Sequence, residues 1–142
     1  MLSLELERPD FGFVVRDAAG NSMEMDIPVE QGGEGKGLGP MQSLLAALCG
    51  CSGVDVVKIL RKQRQGIDSM HITVDGEREP NKDMALWKTI RLHYDLTGEL
   101  EPSKVARSVE LSLQKYCSVA ETLRRAGAEI SWTLRVNGKL VN

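Results

Sequence analysis

The run Pro40-Met-Gln-Ser-Leu-Leu-Ala-Ala-Leu-Cys-Gly-Cys51-Ser-Gly-Val-Asp55-Val-Val57 reads as one long helix around which the other elements are arranged. Pro40 suits the first helical turn, where a missing N–H costs nothing. The pattern continues to about Gln65, with Gly66 as its expected stop. Between Leu44 and Leu60 the helix is apolar over most of its circumference, which predicts a buried, central position. Arg61, Lys62 and Arg64 complement the negative end of the helix dipole.

Before this helix, Leu2, Leu4 and Leu6 alternate with Ser3, Glu5 and Glu7, a half-buried strand pattern. Phe11 to Arg16 and Ser22 to Ile27 read as two more strands, joined by the turn Asp17-Ala-Ala-Gly20-Asn21. The opening is therefore a β-meander. Glycines 32, 33, 35, 37 and 39 then mark a loop, read either as a mobile cover over a site or as a flexible connector. It lacks the Gly-Lys-Ser/Thr ending of a phosphate loop. After the helix, Met70, Ile72 and Val74 form one alternating strand, and Ile90, Leu92, Tyr94 and Leu96 another. Pro102 opens a second helix with Val105, Val109, Leu113 and Tyr116 on one face. Ser118 and Glu121 match a capping box, which predicts a break at Tyr116-Cys117 and a short third helix. Ile130, Trp132, Leu134 and Val136 make a last strand. The order βββ-α-ββ-αα-β is an α+β fold, with residues 1–142 expected to form a single domain.

The composition narrows the function. A chain of 142 residues can bury a real core. A net charge of −2 gives no basic excess for nucleic acid. Six aromatic residues offer little for stacking on bases. Met1 to Arg8 does not resemble a signal peptide. Gly50, Ser52, Gly53, Asp55 and Lys58 interrupt the longest apolar run, so no membrane span is expected. The expected setting is the cytoplasm. Three cysteines there argue against a disulfide framework and leave thiols that are either reactive or simply buried.

A reactive cysteine needs a positive neighbour or a helix N-terminus to favour its thiolate. Cys51 stands about three turns into its helix, beyond the reach of the dipole. Its activation requires a side chain from elsewhere, an arginine being the best suited. Cys117 directly precedes the expected start of a helix, where unpaired N–H groups favour charge on sulfur. Asp55 follows Cys51 by one turn on the same face. It suits either holding an arginine or a structural ion pair. Cys49 and Cys51 point roughly 200° apart on the helix, a poor chelate, so no metal is expected. His71 and His93 fall on the polar faces of their strands and read as solvent-facing.

Two motifs, Cys51-Ser-Gly-Val-Asp55-Val-Val57 and Lys115-Tyr-Cys117-Ser-Val-Ala120, resemble those of the OsmC/Ohr family, the osmotically inducible protein C and organic hydroperoxide resistance proteins. In that family a proline starts the central helix and a reactive cysteine follows eleven residues later, as Cys51 follows Pro40. A second cysteine lies in the C-terminal third, matched by Cys117. The resemblance implies an intertwined homodimer around two central helices. It also implies a thiol peroxidase that reduces organic hydroperoxides and hydrogen peroxide without a cofactor. Cys51 would become a sulfenic acid, Cys117 would close a disulfide, and a lipoyl-type dithiol would restore both. The family's activating arginine comes from the N-terminal strands, which makes Arg16 the candidate. The glutamate that orients it sits one or two residues after the proline, positions held here by Met41 and Gln42. Gln42 offers a hydrogen bond without charge, so Asp55 or Gln42 is the expected orienter. The alternatives are a non-catalytic binding protein and a redox sensor on the same scaffold.

Overall fold

The computed structural model describes residues 1–141, which divide into two compact units, 1–44 and 45–141. In the first unit, β1 (Leu2–Arg8), β2 (Gly12–Asp17) and β3 (Ser22–Met25) form the expected antiparallel meander. Leu2, Leu4 and Leu6 are exposed rather than half-buried, so the described residues leave the apolar face of β1 without cover. The glycine-rich segment is not a slack connector. Residues Val29–Gln31 make one 3-10 turn, and Leu38 bridges to Met25 beside β3. The buried Asp26 carboxylate accepts the N–H groups of Ile27, Glu34 and Lys36, and Arg8 approaches it at 3.6 Å. A Cβ at Gly33 would lie 2.1 Å from the Ile27 carbonyl oxygen, so this glycine allows the close approach that pins the loop.

α1 (Pro40–Lys62) starts with Pro40 at its first position. Gln42 Oε1 accepts the Gly39 N–H at 2.9 Å, the returning half of a capping box. The helix stops sooner than Gly66. Arg64 takes the left-handed conformation at φ 57°, and the Gln65 N–H reaches back to the Leu60 carbonyl at 3.0 Å. This closure satisfies the last carbonyls as a Schellman motif does, with arginine where glycine is usual.

In the second unit, β4 (Gly66–Arg78), β5 (Trp87–Glu99), β6 (Glu129–Val136) and β7 (Lys139–Val141) form one sheet in chain order. β5 and β6 are parallel and the other pairs antiparallel. A parallel pair requires a crossover, supplied by α2 (Pro102–Leu111) and α3 (Ser118–Arg125). β7 was not anticipated, although Asn137-Gly138, both at positive φ, is a strong hairpin turn. The core packs Leu48, Val56 and Leu60 of α1 with Ile90, Leu92 and Leu96 of β5 and Val105 and Val109 of α2. Each such side chain, buried, contributes about 1.5–3 kcal/mol. α1 is less enclosed than expected. By length and composition it could cross a bilayer, yet only 33% of its most apolar window is buried, and Leu44 and Val54 are exposed. One face joins this core and the other is left uncovered.

Candidate functional site

Cys51 lies on α1, and its neighbour Ser52 is fully buried against the sheet. Tyr94, on the apolar face of β5, brings its hydroxyl 2.6 Å from Ser52 Oγ. Ser112 Oγ donates to Asp55 Oδ2 at 2.9 Å and lies 3.0 Å from Ser52 Oγ. A buried chain of hydroxyls thus runs from the sheet to a carboxylate one helical turn beyond Cys51. Burial drives the Tyr94 hydroxyl pKa upward despite its bond to Ser52, so this hydroxyl keeps its proton.

Ser112 opens a π-helical turn, Ser112–Tyr116, between α2 and α3. The turn closes with the Cys117 N–H on the Ser112 carbonyl at 2.8 Å. Such wide turns concentrate at functional sites because they redirect the side chains that follow. Here the redirected side chain is Cys117. Its sulfur accepts the Ala120 N–H at 3.4 Å and so caps α3. The cap is one residue earlier than the capping-box pattern indicated, with Ser118 as the first helical residue. Arg124 ties the two segments by donating to the Leu113 carbonyl.

The sulfurs of Cys51 and Cys117 and an oxygen of Asp55 all lie within 4.8 Å of one another. Burial raises the Cys117 thiol above the range of a free cysteine. Its hydrogen bond to Cys51 raises it further, against the Ala120 and Val119 N–H groups, so Cys117 holds its proton at neutral pH. Grooves reach two of the trio, Cys117 and Asp55, from outside. One of about 510 Å³ is lined by Cys117, and another of about 1020 Å³ is bordered by Asp55, Lys58, Arg61 and Tyr116.

The structure therefore brings together Cys51, Cys117 and Asp55. Gln42 is placed at the start of α1 on Gly39. Arg16 is placed in β2, paired with Glu5 at 3.6 Å and Glu7 at 2.5 Å on β1. Cys49 faces a separate groove with Met70 and Ile72, and burial raises its pKa. His71 is exposed and His93 bonds Thr133, so neither forms a dyad with Cys51. Ser52, Ser112 and Tyr94 escaped the sequence analysis. The one available signal was Tyr94, whose hydroxyl on an apolar strand face required a partner.

Residues 33–133 match the family model described as OsmC-like protein. The chain belongs to the OsmC-like family. Protein YhfA of Escherichia coli strain K12 is 40% identical over 116 residues, covering 80% of this chain and 82% of that one. A hypothetical protein from Aquifex aeolicus VF5 is 32% identical, with TM-score 0.77 over 96% of both chains. An organic hydroperoxide resistance protein OsmC from Legionella pneumophila shares the fold at TM-score 0.70 and 18% identity, over 96% of each chain. The OsmC-like α+β fold is thus common to proteins whose names carry an activity and proteins whose names carry none.

Proposed function

We propose that this OsmC-like chain is a thiol peroxidase that reduces organic hydroperoxides, and hydrogen peroxide, in oxidative stress defence in the cytoplasm. The observation that carries this reading is the meeting of Cys51 and Cys117, 66 residues apart in sequence, at one partly buried point where Cys117 lines a groove. The Cys51 sulfur attacks the peroxide O–O bond, an alcohol leaves, and sulfur becomes a sulfenic acid. Cys117 then displaces its hydroxyl as water and forms a disulfide. A lipoyl-type dithiol reduces the disulfide by exchange. No metal or organic cofactor takes part in these steps. Arg16, paired with Glu5 and Glu7 in β1, is the proposed activator of Cys51, with Asp55 or Gln42 as its proposed orienter. In this reading the two units of the chain act as one domain, and the active form is a homodimer.

The test mixes reduced protein with one equivalent of cumene hydroperoxide and follows free thiols and intact mass. Rapid loss of two thiols with loss of two hydrogens is expected in the native chain and in Cys49→Ser. Cys51→Ser should not react. Cys117→Ser should react once and retain an added oxygen. Equal reactivity in Cys51→Ser would sink the assignment.

A further inference from the structure

The Asp55 carboxylate makes and breaks no bond in a two-cysteine redox cycle, yet it is fixed beside both sulfurs. The buried hydroxyls of Ser112, Ser52 and Tyr94 fix it from behind, and it shares its other side with both thiols. Three donors with ligand chemistry therefore converge from two segments. A tetrahedral zinc site takes sulfur at about 2.3 Å and carboxylate oxygen at about 2.0–2.2 Å. Donors already within 4.8 Å of one another reach that geometry with side-chain adjustments of about an ångström.

We propose that the reduced chain binds a thiophilic divalent cation of the zinc class through Cys51 Sγ, Cys117 Sγ and an Asp55 carboxylate oxygen. The fourth position is left to water or a small ligand, as in open zinc sites. Two thiolates and one carboxylate select zinc over magnesium or calcium, which require oxygen. The outer groups are also in place. Ser112 donates to the carboxylate, and the Ala120 N–H donates to the Cys117 sulfur. Three negative ligands around a divalent ion leave one net negative charge. Lys58 and Arg61, which border the groove beside Asp55, are placed to balance it.

Binding releases the two thiol protons. Oxidation opposes it: the zinc-bound thiolates, one hydroperoxide and two protons give the disulfide, the alcohol, water and free zinc. The metal and the disulfide are therefore alternative states of one pair of sulfurs. This inference shares those sulfurs with the proposed peroxidase but needs no peroxide chemistry of its own.

The test titrates cobalt(II), as a spectroscopic stand-in for zinc, into the reduced full chain without air. Tetrahedral visible bands and a sulfur-to-cobalt charge-transfer band at one ion per chain are expected, with zinc displacing the cobalt. Cys51→Ser and Cys117→Ser should each lose about half of the charge-transfer intensity, and Cys49→Ser should keep all of it. Ser112→Ala, which leaves all three ligands in place, should weaken binding about 10–100-fold with unchanged bands. Circular dichroism of each variant checks folding. Absence of the charge-transfer band, or a band unaltered in Cys51→Ser, overturns the site. Metal-free protein whose thiols ignore peroxide counts against the peroxidase alone.

Discussion

At the residue scale the two cysteines were recognisable in the sequence, and the groups that hold them were not. Cys51 and Cys117 each sit in a short motif. Ser52 meets Tyr94 across 42 residues and Ser112 across 60, and no local pattern announces such contacts. Each serine alone reads as a neutral helix residue. Together they satisfy one another in a fully buried setting, where an unmatched hydroxyl is costly. Ser52→Ala removes the middle of the chain, strands the Tyr94 hydroxyl and leaves Ser112 with Asp55 alone. The expected loss is about 1–3 kcal/mol of folding stability, read as a lower urea midpoint with unchanged slope. Tyr94→Phe removes only an end of the chain and should cost less.

At the element scale most strands and helices were legible from periodicity, and the differences lie at their ends. Gly66 looked like the stop of α1, but Arg64 turns the chain two residues earlier, because closure depends on which carbonyls need partners. Ser118 looked like the cap of α3, but the π turn delivers the Cys117 sulfur to that place. The glycine-rich segment shows the same limit. Its composition suggests slack, whereas Asp26 gathers two of its N–H groups into a fixed bend. Burial acts to raise the Asp26 carboxyl. The N–H donors of Ile27, Lys36 and Glu34 and the Arg8 guanidinium outweigh it and hold the group below its usual range. The sign follows from that depression. The ionised form is favoured in the folded chain, so its contribution is present above the ordinary carboxylate pKa and is lost as pH falls through the lowered value. Proteolysis at Lys36 by an acid-tolerant protease should therefore increase only at strongly acidic pH. In Asp26→Asn it should be rapid at neutral pH, and resistance there would refute the pinning role.

At the scale of the whole molecule the sequence promised a central, enclosed helix and half-buried opening strand. The chain instead leaves Leu2, Leu4 and Leu6 of β1 and Leu44 and Val54 of α1 exposed. The same apolar pattern that reads as interior reads equally as interface, since periodicity records which face avoids water and not which chain covers it. The proposed homodimer would cover both faces. Leu4→Glu with Val54→Glu should shift the sedimenting species from dimer to monomer and leave the circular dichroism of the sheet intact. A native chain that sediments as a monomer at micromolar concentration would remove this account.

The sulfur cap of α3 carries a consequence for observation. Cys117 Sγ holds the Ala120 amide while it is a thiol. Drawn into a bond with another sulfur, it becomes a poorer acceptor and is pulled from its seat. Solvent exchange of the Ala120 amide hydrogen should then accelerate on oxidation and slow again on reduction, while amides in β5 stay constant. In the proposed redox cycle the backbone of α3 would then act as a built-in gauge of the oxidation state of the protein, readable without a label.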